Sequence, residues 1–120
     1  MGAERVKRWL PEAVNRLAAL GVERVLLFGS RARGSATRRC DLDLLVVWQT
    51  GLHPMERIGV VLRELKDAPV AVEPVVYTPE EFAARRELPF LRGVLTEARV
   101  LYERRETAPG SAEIAPPGRR

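Results

Sequence analysis

The sequence predicts an α/β or α+β domain, a small sheet with helices packed on it. Three observations carry that expectation. A continuous apolar run at Val25–Phe28 and a second apolar stretch at Leu42–Trp48, interrupted by Asp43, read as strands. Between and around them, apolar residues recur at helical spacing. The two kinds of segment alternate along 120 residues, enough for one domain with a modest core.

The elements follow in order. Residues 5–20 place Val6, Trp9, Leu10, Ala13, Val14, Leu17 and Leu20 on one helical face. Pro11 interrupts it, so the helix is expected either to start there or to kink there. Gly21 is placed to end it. Val22 to Phe28 is the first strand. Gly29 to Cys40 is polar, Arg-rich and turn-like, and Leu42 to Trp48 is the second strand. Pro54 to Asp67 is periodic at Met55, Ile58, Val61, Leu62 and Leu65, a second major helix. Val70 to Tyr77 is the third strand, and Pro74 assigns it to a sheet edge, because proline cannot donate to a ladder.

Thr78-Pro79-Glu80-Glu81 combines a capping hydroxyl, a first-turn proline and a capping-box glutamate. The helix that follows is expected to break near Pro89 and resume through Phe90 to Arg99. Val100-Leu101-Tyr102 reads as a short last strand. From Glu106 the composition shifts to Ala, Pro, Gly and Ser. The expected division is therefore a domain over residues 1–105 and a disordered tail over 106–120.

Composition narrows the function classes. The net charge is +4 and almost wholly due to Arg, with Lys only at positions 7 and 66. That balance suits an anionic partner, although Arg is spread along the chain and not gathered in one block. Cys40 is the only cysteine, so an intrachain disulfide is excluded. A catalytic thiol would want a histidine, and the one histidine, His53, sits in the turn Gly51-Leu52-His53-Pro54. Cys40 is expected semi-buried and His53 on the surface. Zinc has no Cys/His set to hold it. No apolar run approaches the ~20 residues that span a bilayer, and no secretory leader is visible, so the cytoplasm is the default location. With no aromatic ladder and no basic stripe, nucleic acid is not expected as a direct ligand.

The chemistry-bearing segment runs from Gly29 to Val47. Asp41 and Asp43 alternate on a strand, so their carboxylates share one face while Leu42 and Leu44 turn to the other. Two such charges repel and raise each other's pKa unless a cation lies between them. Asp is also disfavoured in an apolar strand, so something should compensate. A hard divalent cation such as Mg²⁺ meets both needs and recruits substrate phosphates. A nearby Arg partner for Asp43 is the plainer alternative. Upstream, Gly29-Ser30 follows a strand directly. Glycine lets backbone approach a phosphate, the Ser hydroxyl and following amides donate, and a helix start adds a favourable dipole. Arg31 and Arg33 are placed to neutralise the outer phosphates. A Walker loop is rejected: Gly29 and Gly34 have its spacing, but Ser35-Ala36 stands where Lys-[Ser/Thr] is required. The dinucleotide fingerprint is absent.

The combination is more telling than its parts: strand, Gly29-Ser30, ten residues, then Asp41-Leu42-Asp43 opening the next strand. Leu26 to Val47 thereby resembles the signature of the DNA polymerase β-like nucleotidyltransferase superfamily, and looks closest to its minimal branch. Thr78-Pro79-Glu80-Glu81 after a strand and the late Leu101-Tyr102-Glu103 fit that branch too. The resemblance covers residues 5–104. It implies a small mixed sheet flanked by helices, the catalytic palm of that superfamily.

The resemblance further implies a third carboxylate on a neighbouring strand, and Glu73 stands at the matching place, where the family more often has Asp. Asp41, Asp43 and Glu73 would then hold two Mg²⁺ ions, and Glu73 would also help take a proton from the acceptor hydroxyl. A nucleoside monophosphate, AMP from ATP, would pass to that hydroxyl. Minimal members commonly pair with a helical HEPN protein, and some act as the antitoxin of a toxin–antitoxin pair by transferring AMP to a tyrosine of the toxin. That is the leading expectation. The alternatives are a binding subunit that neutralises a HEPN ribonuclease by contact alone, and the catalytic subunit of a small-molecule nucleotidyltransferase.

Overall fold

The computed structural model describes residues 2–34 and 41–104. The expected turn over 35–40, with Cys40, and the expected tail from Glu106 lie outside the described residues. Helix α1 spans Gly2–Ala19, strand β1 Arg24–Phe28, α2 Ser30–Arg33 and β2 Leu42–Val47. Then come α3 at Pro54–Glu64, β3 at Val72–Tyr77, α4 at Pro79–Arg85, α5 at Pro89–Glu97 and β4 at Arg99–Glu103.

Helix α1 runs through Pro11 and does not start at it. Its sheet-facing residues lie on both sides of the proline: Val6, Ala13 and Leu17 are all buried. Packing on both sides holds the helical path across the missing N–H. The expected stop at Gly21 is a Schellman turn. Gly21 takes φ +97°. Its N–H donates to Ala18 O at 3.0 Å and the Val22 N–H to Leu17 O at 3.4 Å.

The four strands form one mixed sheet in the order β3-β2-β1-β4. β1 is antiparallel to both β2 and β4, while β2 and β3 run parallel. β3 is an edge, as Pro74 requires. Alternation along β1 and β2 divides two cores. Val25, Leu27, Leu42, Leu44 and Val46 face α1 and α3, packing on Val6, Ala13, Leu17, Val61 and Leu65. Leu26, Leu45 and Val47 face Phe82 of α4 and Leu91 and Val94 of α5. β2 is covered on both sides, which explains its apolar run from Leu44 to Val47; Leu42, Leu44 and Leu45 are fully buried. Each such side chain contributes about 1.5–3 kcal/mol of apolar transfer. The rigid centre of the fold is therefore the strand that carries Asp43.

Two caps fix the helices around this sheet. At α4 the Thr78 hydroxyl accepts from the Glu81 N–H at 3.1 Å, and Glu81 accepts from the Thr78 N–H at 3.0 Å. α4 and α5 separate before Pro89, as expected. At α3 the cap is His53, whose Nδ1 accepts from the Met55 N–H at 3.3 Å while Glu56 accepts from the His53 N–H. His53 is exposed, as the sequence indicated, but it has a structural task that composition did not reveal. Among the described residues no helix is long and apolar enough to cross a membrane.

Candidate active site

The site forms where β1 ends beside the start of β2. The last residue of β1, Phe28, is the antiparallel partner of Asp43. The chain then turns at Gly29 with φ +78° and ψ −160°, a region essentially closed to residues with a Cβ. A Cβ built on Gly29 would overlap Asp43 Oδ2 and stand 3.2 Å from its Cγ. Glycine is thus required twice, by backbone conformation and by the carboxylate pressed against it. The expected helix start at Ser30 is a single turn, Ser30–Arg33, which ends on a left-handed Gly34. Such a turn presents amides but little macrodipole.

Three carboxylates gather on the α4/α5 side of the sheet. Asp43 and Glu73 are register partners across the parallel β2–β3 pair, so their side chains leave the same face. Glu73 comes within hydrogen-bonding reach of both Asp41 and Asp43. The Asp43 carboxyl is held above its ordinary range, by burial first and then by the charge of Asp41, with Glu73 and Arg33 opposing. Glu73 is raised as well, chiefly by its contact with Asp41 and the repulsion that accompanies it. Without a cation the crowding of the three carboxyls pushes both Asp43 and Glu73 toward the neutral form.

Oxygen donors of this kind suit a hard divalent cation. Among the described residues, however, no three acidic, Cys or His side chains are already disposed around one point as metal ligands. The carboxyls touch one another instead. Asp41, Asp43 and Glu73 would be the groups to hold such a cation, whose charge would offset their mutual repulsion.

The basic residues divide. Arg33 is close enough to lower Asp43. Arg31 instead borders a cleft of about 300 Å³ on the α1 face, with Val6, Leu27, Leu42 and Leu101.

Two residues of α5 to which the sequence assigned no site role, Glu97 and Phe90, adjoin the site. Glu97 accepts from the Gly29 N–H at 3.3 Å and from Arg33 Nη1 at 3.1 and 3.0 Å. Phe90 meets Phe28 edge to face, with centroids 6.1 Å apart and planes at 86°. Both contacts cross more than sixty residues of chain, and helical periodicity alone does not report them. A Glu one turn beyond the buried Val94 was the one available signal.

A larger cavity, about 660 Å³, lies at the other end of the sheet, among Arg24, Phe82, Arg86, Glu103 and Arg104. Arg24 pairs with Glu103 at 3.0 Å, Arg104 with Glu23 at 3.6 Å, and Arg24 and Arg86 both lie over the Phe82 ring. Its charges are largely compensated internally, and it has no carboxylate set like that around Asp43. Size does not make it the chemical site.

The nucleotidyltransferase domain family matches residues 7–102 of this chain. Two proteins of Methanocaldococcus jannaschii, each named "putative protein adenylyltransferase", are similar. One is 30% identical over 87 residues, 67% of this chain, and the other 33% identical over 81 residues, 68% of this chain. The matched segment spans 58% of the first relative's length and 79% of the second's. Among solved structures, a "putative nucleotidyltransferase" from Sulfolobus solfataricus superposes with a TM-score of 0.62 at 22% identity, covering 86% of this chain and 85% of that one. A toxin–antitoxin with AMP-PNP superposes at 0.52 and 17% identity, covering 88% and 76%. At those identities the two structures speak for the fold.

Proposed function

The chain belongs to the nucleotidyltransferase domain family, as one of its minimal members, and on that premise we propose that it transfers AMP from ATP to a hydroxyl of a partner protein, the hydroxyl oxygen bonding to the α-phosphorus as the α–β phosphoanhydride breaks and pyrophosphate leaves. The catalytic domain is residues 1–105. The acceptor is a tyrosine of a helical HEPN-type protein, and the chain is the antitoxin of that pair. The observation that carries this reading is the meeting of Asp41, Asp43 and Glu73 beside Gly29. Support for a protein acceptor comes from the names of the two archaeal relatives. Support for an ATP-type donor and a toxin partner comes from the fold neighbour solved with AMP-PNP.

Asp41, Asp43 and Glu73 would hold Mg²⁺, two ions by the logic of such sites. The metal supplies charge neutralisation and activation of the acceptor oxygen. The chain's own residues do the rest. Gly29 allows the backbone to close on the donor phosphates, the Ser30 hydroxyl and neighbouring amides donate to them, and Arg33 offsets their charge. Arg31 would serve the same end from the other side of the turn. Glu73, the most exposed of the three carboxylates, would in its ionised form take the proton of the incoming hydroxyl. Rate enhancement then comes mainly from positioning.

The test is incubation with α-labelled ATP, Mg²⁺ and the product of the reading frame adjacent to this one, which the proposal requires to be a small helical protein. Label on a tyrosine of that protein, lost in Asp43→Asn, is the expected result. A tight complex with no label would replace transfer by neutralisation through contact. Label on a small molecule alone would point to a small-molecule acceptor.

A further inference from the structure

We propose that Glu97 is a built-in competitor for the donor phosphates and sets the affinity of the site for its nucleotide. The inference rests on the reading of Gly29–Arg33 as the phosphate seat. A phosphate oxygen in that seat needs the backbone N–H at the turn and a guanidinium. In the free protein both are taken by one carboxylate: Glu97 accepts from the Gly29 N–H and, with both oxygens, from Arg33. An anion of the chain stands where an anion of the substrate is expected.

The arrangement is not an accidental surface pair. Glu97 is the last residue of α5, and the same helix is anchored by buried Leu91 and Val94 and by Phe90 on Phe28, next to the turn. The carboxylate is therefore delivered by a fixed helix and not by a flexible loop. It is weakly held, though. The Arg33 side chain is 52% exposed and Glu97 31%, so the pair itself adds little to stability. A triphosphate with several charges can displace a single carboxylate from such a pair. The displaced charge still lies at the rim and opposes the incoming phosphates.

Two roles are separable. If Glu97 only organised the turn, removing its charge would leave binding unchanged or weaken it. If it competes, Glu97→Gln strengthens binding, because the amide oxygen can still accept from Gly29 and Arg33 while the repulsion is gone. The expected gain is about three- to tenfold for a unit charge at this distance in a part-solvated site.

The experiment is equilibrium titration of wild type, Glu97→Gln, Arg33→Ala and the double variant. The probes are a non-hydrolysable ATP analogue with Mg²⁺, tripolyphosphate with Mg²⁺, and adenosine. Circular dichroism verifies that each variant is folded. The expected result is tighter binding of the analogue and of tripolyphosphate by Glu97→Gln, no change for adenosine, and a smaller gain in the Arg33→Ala background. Equal or weaker binding of tripolyphosphate by a folded Glu97→Gln overturns the competitor while leaving the phosphate seat intact. If wild type and Glu97→Gln both fail to bind either phosphate probe, the seat itself is misplaced and the competitor falls with it.

Discussion

Gly29 closes over the carboxylate of Asp43, and no residue with a Cβ fits between the turn and that side chain. The turn that would cradle phosphate and the strand that would hold metal are thus one packed unit.

Gly29→Ala should break that unit. The left-handed conformation alone costs about 1–3 kcal/mol, and Asp43 must move as well. The expectation is a melting temperature lower by several degrees and loss of Mg²⁺-dependent binding of an ATP analogue. Calorimetry and titration on the same sample check both. Gly21→Ala is the control: it shares a positive φ, +97°, but a Cβ there meets nothing within 4 Å.

Asp43→Asn should abolish transfer and make the metal-free protein more stable. The sign follows from the raised pKa of Asp43. A carboxyl raised in the folded state binds protons that the unfolded chain has released. Wild-type stability therefore falls as pH climbs from the ordinary Asp value of 3.8 through the raised one. Asn removes that loss, so the advantage of the variant should be near zero at the acid end of this window and grow toward neutrality. Urea unfolding with EDTA at a series of pH values measures it. Mg²⁺ should raise the wild-type midpoint and leave the variant unmoved; equal responses would remove Asp43 from the metal set.

Arg57 is the one charged side chain buried among the described residues, 7% exposed, and it pairs with Glu81 at 2.8 Å. Arg57→Ala should cost about 2–3 kcal/mol. That is less than breaking a wholly buried pair, because Glu81 keeps 31% exposure. Equilibrium denaturation gives the value. A loss below 0.5 kcal/mol, roughly that of an exposed pair, would mean the pair stabilises nothing beyond its surface contacts.

Glu81 also caps α4 and is held below the ordinary glutamate value of 4.5, first by Arg57 and then by the Thr78 N–H. A depressed carboxyl stabilises the fold above its unfolded pKa, and that contribution is lost as pH falls through the folded one. Wild type should lose this part of its stability below pH 4.5, and Glu81→Gln should lose less over the same range. Thr78→Ala, which removes the other half of the box, should cost about 1 kcal/mol at neutral pH.

Local patterns in the chain mark the main helices and strands in order and the residue types at the Gly29-Ser30 turn, while several bounds differ: β1 begins at Arg24 and not Val22, α3 ends at Glu64 and not Asp67, and β3 begins at Val72 and not Val70. These are local matters. Gly21 ends a helix through its own φ, Thr78 and Glu81 cap across three residues, Pro74 confines β3 to an edge, and alternation puts Asp41 and Asp43 opposite Leu42 and Leu44. Tertiary structure alone decided which partners those side chains meet. Strand register brought Glu73 level with Asp43. Helix packing carried Glu97 sixty-eight residues along the chain to Gly29 and took Arg57 into a buried pair with Glu81. No short-range pattern encodes such pairings, because they arise from how apolar faces stack and not from the spacing of the polar residues themselves.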